Sequence, residues 1–406
     1  MNYYKNIAVN YVFTFFKSID VTNGIWMLYL ASKGLSLFEI GLLEGIFHVT
    51  SLVMETPTGA VADIFGRKMS RLLGIALSVG SKVLMIFSSS FAMFALSFII
   101  TALSYNFESG AGEALVYDSL LLEKNEHKYL KITGRSELIF QSTNILGLML
   151  GGLVGNIKYE YAYIIAIALS AAAFITGLFF KEPPIEKIKC GILGAIKKQY
   201  RDSFMAIKGS RRLFYLILFT GILSASVALS FYYLQIAWEG GMNVFGIGLY
   251  LAASSAAAAA GAALAEKAEK ALGEAAILKI TPALIALSVI SMYFTDFALI
   301  PLCVISALET IVFVATRDYI NRLIPSDKRA TILSFESMIC SVVMILIFPL
   351  FGLVSDNLGM GITFLILGGV MAVMALVNLK VTGRARSAYE ETADIKAAAI
   401  AQDMDE

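Results

Sequence analysis

Three acidic residues interrupt long apolar stretches of the sequence. Asp20, Glu108 and Glu309 each lie among Leu, Ile, Phe, Ala and similar residues. An ionised side chain inside a membrane-spanning helix costs about 2.5 to 3.5 kcal/mol, so it needs a cavity, a partner or a role. A carboxylate in such a place can take up and release a proton near neutral pH, and it can bind a cation. The alternative for each is a hydrogen-bonded structural carboxyl between helices.

Polar neighbours extend these positions into candidate sites. Asn23 follows Asp20 by three residues, so the two share a helix face, and Lys17 on that face could instead neutralise Asp20. A cation and a proton competing for one carboxylate would couple the two in antiport. We predict six substrate- or proton-binding residues: Asp20, Asn23, Tyr105, Asn106, Glu108 and Glu309.

Four further residues form a secondary set. Glu44 and His48 are one helical turn apart and could form a proton pair, although a lone histidine between helices more often packs or hydrogen-bonds. Glu55 directly precedes Thr56-Pro57-Thr58, so we assign it to conformational change. Glu336 completes the set.

The composition indicates which elements must position these groups. The chain of 406 residues is 58% hydrophobic and 16% charged, with a mean hydropathy of +0.75, which is far too apolar for an average soluble protein. A bilayer-spanning helix needs about 20 mostly apolar residues. The sequence therefore predicts an all-α integral membrane protein with twelve transmembrane helices. The spans are 8–32, 36–62, 70–89, 91–117, 133–156, 159–180, 213–237, 245–265, 275–294, 297–319, 330–354 and 358–380.

The same composition excludes other classes of protein. A net charge of +1 gives no field for nucleic acid. No nucleophile with a base, metal-ligand cluster or phosphate loop is evident, so we expect no enzyme, metal site or cofactor. The three cysteines, Cys190, Cys303 and Cys340, have no paired spacing and are predicted to be reduced.

Basic residues set the predicted orientation. Most of the 32 Lys and Arg residues fall in alternate loops, whereas the loops between them hold only Lys33 and Lys158. Basic residues collect in cytoplasmic loops, so we predict a multi-pass protein of the cytoplasmic membrane with both termini inside.

One charged hinge lies between the second and third spans. Gly59, Asp63, Gly66, Arg67 and Lys68 form the pattern GxxxDxxGRK, followed by Arg71. The glycines allow a tight turn, and Asp63 and Arg67 are four residues apart and can pair. The pattern resembles the loop between helices 2 and 3 of the major facilitator superfamily of secondary transporters.

This resemblance implies a gate. In such families the aspartate is thought to cap the start of helix 11, here near Thr331, and the arginine to bind an acid at the end of helix 4, here Asp118. With Arg135 and Glu137 these charges are predicted to hold one face shut. The predicted gating residues are Gly59, Asp63, Gly66, Arg67, Lys68, Asp118, Arg135 and Glu137.

An internal repeat predicts two pseudo-symmetric six-helix bundles. Glu266 and Lys270 repeat the spacing of Asp63 and Arg67, and Glu309 takes the place of Glu108. Parallel halves of this kind are typical of transporters whose site lies between them. The predicted organisation is a bundle at 1–180, an amphipathic cytoplasmic linker at 181–212, a bundle at 213–380 and a cytoplasmic tail at 381–406.

The resemblance extends in part to bacterial drug/proton antiporters. A glycine stripe from Gly147 to Gly155 is similar to the antiporter pattern GxxxGPxxGG, with Gly152 in place of proline. Small residues at this spacing let helices approach closely. The buried arginine usual in helix 4 of those antiporters is replaced here by Asn106.

The predicted function is secondary transport by alternating access, most simply proton-coupled efflux of amphiphilic or cationic small molecules. The expected partners are such a substrate, protons and the lipid bilayer, with a monomeric chain. One alternative is a proton symporter that imports a small metabolite. Another is a non-transporting sensor or lipid-handling protein on the same scaffold.

Overall fold

The structure is a computed structural model that describes residues 3–184, 211–238, 241–294, 298–323 and 329–378; for Arg211, 321–323 and 329–335 it describes the helical backbone only. The predicted linker helix and the predicted tail lie almost wholly outside these ranges. All regular structure within them is helical. In chain order the helices are α1 Lys5–Ser18, α2 Trp26–Ser32, α3 Leu37–Phe65, α4 Arg67–Phe87, α5 Phe91–Leu122, α6 Tyr129–Gly155, α7 Tyr159–Leu178, α8 Arg211–Ala237, α9 Val244–Ser291, α10 Leu299–Leu323, α11 Arg329–Leu358 and α12 Met360–Asn378.

Ten of these helices are long and apolar enough to cross a membrane. The 48 residues of α9 would extend about 72 Å as one rod, more than twice the thickness of a bilayer core of about 30 Å. Gly273 interrupts this helix with a φ of 72°, at the join of the predicted eighth and ninth spans. With α1 and α2 as one interrupted span, the described chain provides the twelve predicted crossings, and the predicted all-α membrane fold is confirmed.

The first span is not the continuous helix that was predicted over 8–32. Residues 19–25 are unwound between α1 and α2. Asp20 explains the break, because its Oδ1 accepts hydrogen bonds from the amide (2.9 Å) and hydroxyl (2.7 Å) of Thr22. Short polar side chains that bond their own backbone compete with helix formation in this way. Our prediction for this span was therefore wrong in its middle.

Glycines of α6 make room for the unwound segment. A Cβ on Gly147 would lie 2.8 Å from the amide nitrogen of Asp20, and one on Gly151 would overlap the carbonyl oxygen of Val21. Farther along the same helix, a Cβ on Gly152 would lie 2.9 Å from the Cα of Gly248 in α9. The glycine stripe predicted from the sequence therefore packs against two neighbours, the unwound segment of the first span and α9.

The hinge between α3 and α4 is shorter than the sequence suggested. Gly66 alone separates the two helices, with a φ of 108° that L side chains rarely adopt. We call this end of the bundle the hinge end. The opposite end, which carries the turn at residues 33–36 between α2 and α3, is the sealed end.

The two halves of the chain, α1–α7 and α8–α12, meet closely at the sealed end. A Cβ on Gly41 of α3 would lie 2.5 Å from the carbonyl oxygen of Phe348 in α11, and Gly152 meets Gly248 in the same layer. Gly59 lies 18 residues after Gly41, which is five turns along the same face of α3. Within the described chain, a Cβ there would have no atom within 4 Å. The close contact of α3 with α11 that Gly41 makes at the sealed end is therefore not repeated at Gly59 by any described atom.

Candidate functional site

A buried ion cluster joins α1, α4 and α5 near the middle of the first half. Glu108 of α5 accepts hydrogen bonds through Oε1 from Nε (3.0 Å) and Nη2 (2.8 Å) of Arg71. Its second oxygen pairs with Lys17 of α1. Arg71 also donates to Oδ1 of Asn10 at 2.8 Å, and its side chain is 3% exposed.

Aromatic rings complete the surroundings of Arg71. Its guanidinium carbon lies 4.2 Å from the ring centre of Phe13 and 4.8 Å from that of Phe180. Such stacking favours a cation in an apolar setting. Arg71 is therefore a fixed part of the site. It was not among the predicted site residues because it lies in the basic run of the hinge, although its position one turn into α4 indicates that it can face the bundle.

The cluster changes the partners expected from the sequence. Lys17 pairs with Glu108 and not with Asp20, whose carboxylate holds the turn at Thr22. Two cations and one carboxylate meet at Glu108, so this acid is already compensated. It lies where a site was predicted, but its surroundings do not favour reversible protonation.

The cluster faces a cavity of about 460 Å³ between α1, α5 and α6. Lys17, with 37% of its side chain exposed, is the accessible cation in its wall. Thr14, Ser109, Glu113, Ser136, Glu137 and Phe140 also line it. The wall can therefore offer a solute both hydrogen bonds and charges of either sign.

Other predicted residues have local or cross-half partners. Asn106 bonds the hydroxyl and the carbonyl of Ser51 in α3, each at 2.8 Å, so its amide is a structural link within the first half. Tyr105 is 62% exposed and is the more accessible neighbour of the cluster. Asn23 accepts a hydrogen bond at 3.3 Å from the hydroxyl of Tyr232 in α8, which joins the halves beside the unwound segment.

The second half carries two acidic residues in a different setting. The hydroxyl of Ser224 donates to Oε1 of Glu309 at 2.8 Å, and no cation pairs with Glu309 in the described chain. Glu336 is 8% exposed, and its Oε2 has no hydrogen-bond partner among the described residues. The Cys340 thiol lies within electrostatic reach of both carboxyls. Arg317 lies within electrostatic reach of Glu336, but neither acid has a direct ion pair in the described chain, whereas Glu108 has two.

The secondary residues of α3 are arranged along that helix. Glu44 and His48 approach to 3.6 Å, as their spacing predicted. Glu55 is exposed. Their roles stay predictions.

The hinge brings together three of the charges predicted for the gate. Arg67 pairs with Asp63, and its Nε lies 3.7 Å from Oδ2 of Asp118. Arg135 and Glu137 do not join them: Arg135 is exposed, and Glu137 accepts a hydrogen bond from Gln141 at 2.7 Å. The side chains at the start of α11, which the family pattern would place against Asp63, lie outside the described residues.

Glu182 is a hinge residue that the sequence analysis did not select. Its two oxygens accept the backbone amides of Arg67 (2.6 Å) and Lys68 (2.8 Å) at the start of α4. A carboxylate is favourable there because the first amides of a helix lack partners and carry partial positive charge. Partial burial nevertheless raises the pKa of the Glu182 carboxyl, against the opposing effect of these amides. The signal in the sequence was an acid directly before Pro183-Pro184.

The described residues hold no group of three or more His, Cys, Asp or Glu side chains arranged to bind a metal ion. The site is therefore described by its charges, hydroxyls and amides alone.

Comparison with known sequences identifies relatives along most of the chain. The Major Facilitator Superfamily profile matches residues 9–346. An uncharacterized MFS-type transporter of Bacillus subtilis, YxaM, is 23% identical over 376 residues, covering 89% of this chain and 91% of the relative. The quinolone resistance protein NorA of Staphylococcus aureus is 25% identical over 189 residues, or 46% of this chain and 48% of NorA.

Solved structures show the same fold. The nucleoside transporter NupG aligns with a TM-score of 0.73 at 14% identity, covering 94% of this chain and 99% of that one. A D-xylose-proton symporter aligns with a TM-score of 0.72 at 12% identity, covering 94% and 98%. The twelve crossings, the hinge pattern and the profile over 9–346 agree, and the chain belongs to the Major Facilitator Superfamily, as a multi-pass membrane transporter and not an enzyme.

Proposed function

We propose that this protein is a proton-coupled exporter of amphiphilic or cationic small molecules that works by alternating access. The basic residues concentrated at the hinge end support a cytoplasmic hinge end, with both termini inside the cell and the chain in the cytoplasmic membrane. We expect a monomer, because each half has its partner within the same chain.

The observation that carries this proposal is the contrast between Glu108 and Glu309. Glu108 is held by two cations, whereas Glu309 has a hydroxyl partner, Ser224, and no cation in the described chain. An uncompensated carboxylate between helices can bind either a proton or a cationic substrate, and this competition is sufficient for antiport. We therefore place coupling in the second half, at Glu309, with Glu336 as the second candidate.

Similarity to NorA supports efflux, since NorA is named for resistance to quinolones. That similarity spans about half of each chain. Export is therefore supported by the uncompensated carboxylate of Glu309 in the second half and by the similarity to NorA.

Proton-coupled uptake of a polar metabolite is the second candidate. The cavity beside Lys17 offers Thr14, Ser109 and Ser136, a convergent set of hydrogen-bonding groups that suits a hydrophilic solute. The folds of NupG and the xylose symporter accommodate such solutes in those proteins.

Reconstitution into liposomes with a trapped pH-sensitive dye distinguishes these functions. Cationic dyes and antibiotics, a quinolone among them, are added across an imposed proton gradient, and sugars and nucleosides are tested in parallel. In the wild type we expect a transported cation to drive proton movement. Glu309→Gln should weaken binding of the cation and abolish the coupled proton movement, because a neutral amide can neither pair with the cation nor take up the proton.

Glu160→Gln is the matched control, since Glu160 lies at the sealed end, where it pairs with Lys33 at 2.9 Å. It should transport at the wild-type rate. Proton-driven accumulation of a sugar or nucleoside, with no flux of any cation, would replace export by uptake. Binding without flux of any compound would instead support the non-transporting sensor or lipid-handling alternative.

A further inference from the structure

The glycine and aspartate spacing of the hinge occurs a second time, at the end of α11. Gly59, Asp63 and Gly66 stand at the end of α3 in the pattern GxxxDxxG, and Gly352, Asp356 and Gly359 repeat it. The last glycine of each set has a positive φ, 108° at Gly66 and 82° at Gly359. Each set thus ends its helix at a sharp turn with a carboxylate in the last turn.

Asp356 reaches across to the other half of the protein. Its Oδ1 accepts the backbone amide of Leu37 at 3.1 Å, and its Oδ2 accepts that of Phe38 at 2.8 Å. These are first-turn amides of α3, which have no partner within their own helix and carry partial positive charge. One carboxylate at the end of α11 therefore caps the start of α3 from the opposite half.

Gly352 allows this approach. A Cβ at this position would overlap the carbonyl oxygen of Leu37 and lie 2.9 Å from the Cα of Phe38. Any side chain on Gly352 would push the end of α11 away from the start of α3, and the two hydrogen bonds of Asp356 would be lost.

We propose that Gly352 and Asp356 form the latch that closes the sealed end. This latch would act opposite to the gating role that the family pattern implies for Asp63 at the hinge end. In the present arrangement Asp356 caps α3, Asp63 pairs with Arg67 in its own half, and no atom of the described chain lies within 4 Å of a Cβ on Gly59. In the opposite arrangement Asp63 caps the start of α11, and Asp356 is released. Asp356 at the end of α11 thus caps the start of α3 when the sealed end is closed. Asp63 at the end of α3 caps the start of α11 when the hinge end is closed.

This inference rests on the alternating access included in the proposed function, but not on the identity of the substrate. Loss of a charged cap changes an equilibrium by about tenfold. We therefore expect Asp356→Asn to lower the ratio of molecules with a closed sealed end to molecules with an open one by about tenfold. Asp63→Asn should move the same ratio in the opposite direction.

Distances between spin labels measure this ratio without any substrate. In a variant with Cys190, Cys303 and Cys340 replaced by Ser, one label pair replaces Ile157 and Phe294 at the sealed end. A second pair replaces Leu130 and Leu272 at the hinge end. All four residues are at least half exposed and lie in different halves within each pair. Asp356→Asn should lengthen the first distance and shorten the second.

Gly352→Leu provides an independent test, because it blocks the contact sterically and keeps the carboxylate. It should give the same shift as Asp356→Asn, and the double variant Asp63→Asn with Asp356→Asn should return towards the wild-type ratio. Glu160→Gln, an acid at the same end whose partner is in its own half, should leave both distances unchanged. Unchanged distance distributions in both Asp356→Asn and Gly352→Leu would overturn the latch, whatever the liposome assay finds about protons.

Discussion

At the scale of single residues, Arg71 is the side chain on which the first half depends most. It is nearly fully buried, it bonds Glu108 twice and Asn10 once, and it lies against two aromatic rings that contact each other. Lysine has one compact charge and cannot make the paired bonds to a carboxylate that a guanidinium makes. We infer that Arg71 fixes the position of Glu108, and that Lys17 is the member of the cluster that a solute can reach.

Replacing Arg71 should therefore damage the fold and not only the activity. Removing one member of a buried ion pair leaves the other charge uncompensated, which typically costs about 3 to 5 kcal/mol. We expect Arg71→Ala to lower the thermal unfolding midpoint of the detergent-solubilised protein strongly, and Arg71→Lys to recover only part of the loss. Arg135→Ala, at an exposed position of α6, is the control and should melt like the wild type. Equal midpoints for Arg71→Ala and the wild type would show that the cluster does not hold α1, α4 and α5 together.

The residues that sequence reasoning found and missed differ in how local their signals are. Asp63, Arg67 and Asp118 were predicted together because the spacing of the first two and the hinge pattern are local features, and the three do meet. The contact of Asp356 with Leu37 joins residues 319 positions apart, so no local spacing in the sequence predicts it. The second GxxxDxxG pattern, at Gly352, Asp356 and Gly359, is present in the sequence. Its contact with the start of α3, however, depends on how the two halves of the protein pack.

At the scale of elements, the unwound segment of the first span and the glycines of α6 depend on each other. The break was not predicted because its cause is the side chain of Asp20 bonding its own backbone, in a stretch whose apolar content suits a continuous helix. The glycine stripe was predicted to allow close helix packing. The structure shows that Gly147 and Gly151 pack against backbone that is not helical.

Alanine substitutions in α6 should therefore have opposite effects at two glycines. In Gly151→Ala the new Cβ overlaps the Val21 carbonyl, and overpacking of this kind typically costs about 1 to 3 kcal/mol. In Gly134→Ala the new Cβ has no atom within 4 Å, so the higher helix propensity of alanine should stabilise the protein by about 0.5 to 1 kcal/mol. Thermal unfolding of the two variants in the same detergent measures both. A destabilised Gly134→Ala or an unaffected Gly151→Ala would contradict this account of the helix.

At the scale of the whole molecule, the number of crossings followed from hydropathy, but the state of the transporter did not. Hydropathy depends on each helix separately, whereas the opening of one end depends on contacts between the two halves. Those contacts are made by Gly41, Gly152 and Asp356. The position of each residue within its own helix does not predict a contact with the other half. A sequence that serves two arrangements of the same helices cannot indicate which one is occupied.

Gly59 should distinguish the two arrangements by sterics alone. It lies on the face of α3 that meets α11 at Gly41, yet no atom of the described chain lies within 4 Å of its Cβ position, whereas Gly41 meets the Phe348 carbonyl there. We expect Gly59→Leu to fold and melt at least as well as the wild type in the present arrangement, because leucine favours the helix over glycine. The same side chain should prevent α11 from closing on α3 at the hinge end, so transport should fall to the background of empty liposomes.

The spin-label pair at the hinge end gives the second measurement for this variant. In Gly59→Leu the long hinge-end distance should be the only population, and it should persist under an imposed proton gradient. Gly41→Leu is the opposite case, since its Cβ would lie 2.5 Å from the Phe348 carbonyl oxygen and should favour opening of the sealed end. Transport by Gly59→Leu at the wild-type rate would mean that closure of the hinge end does not bring α11 onto this face of α3.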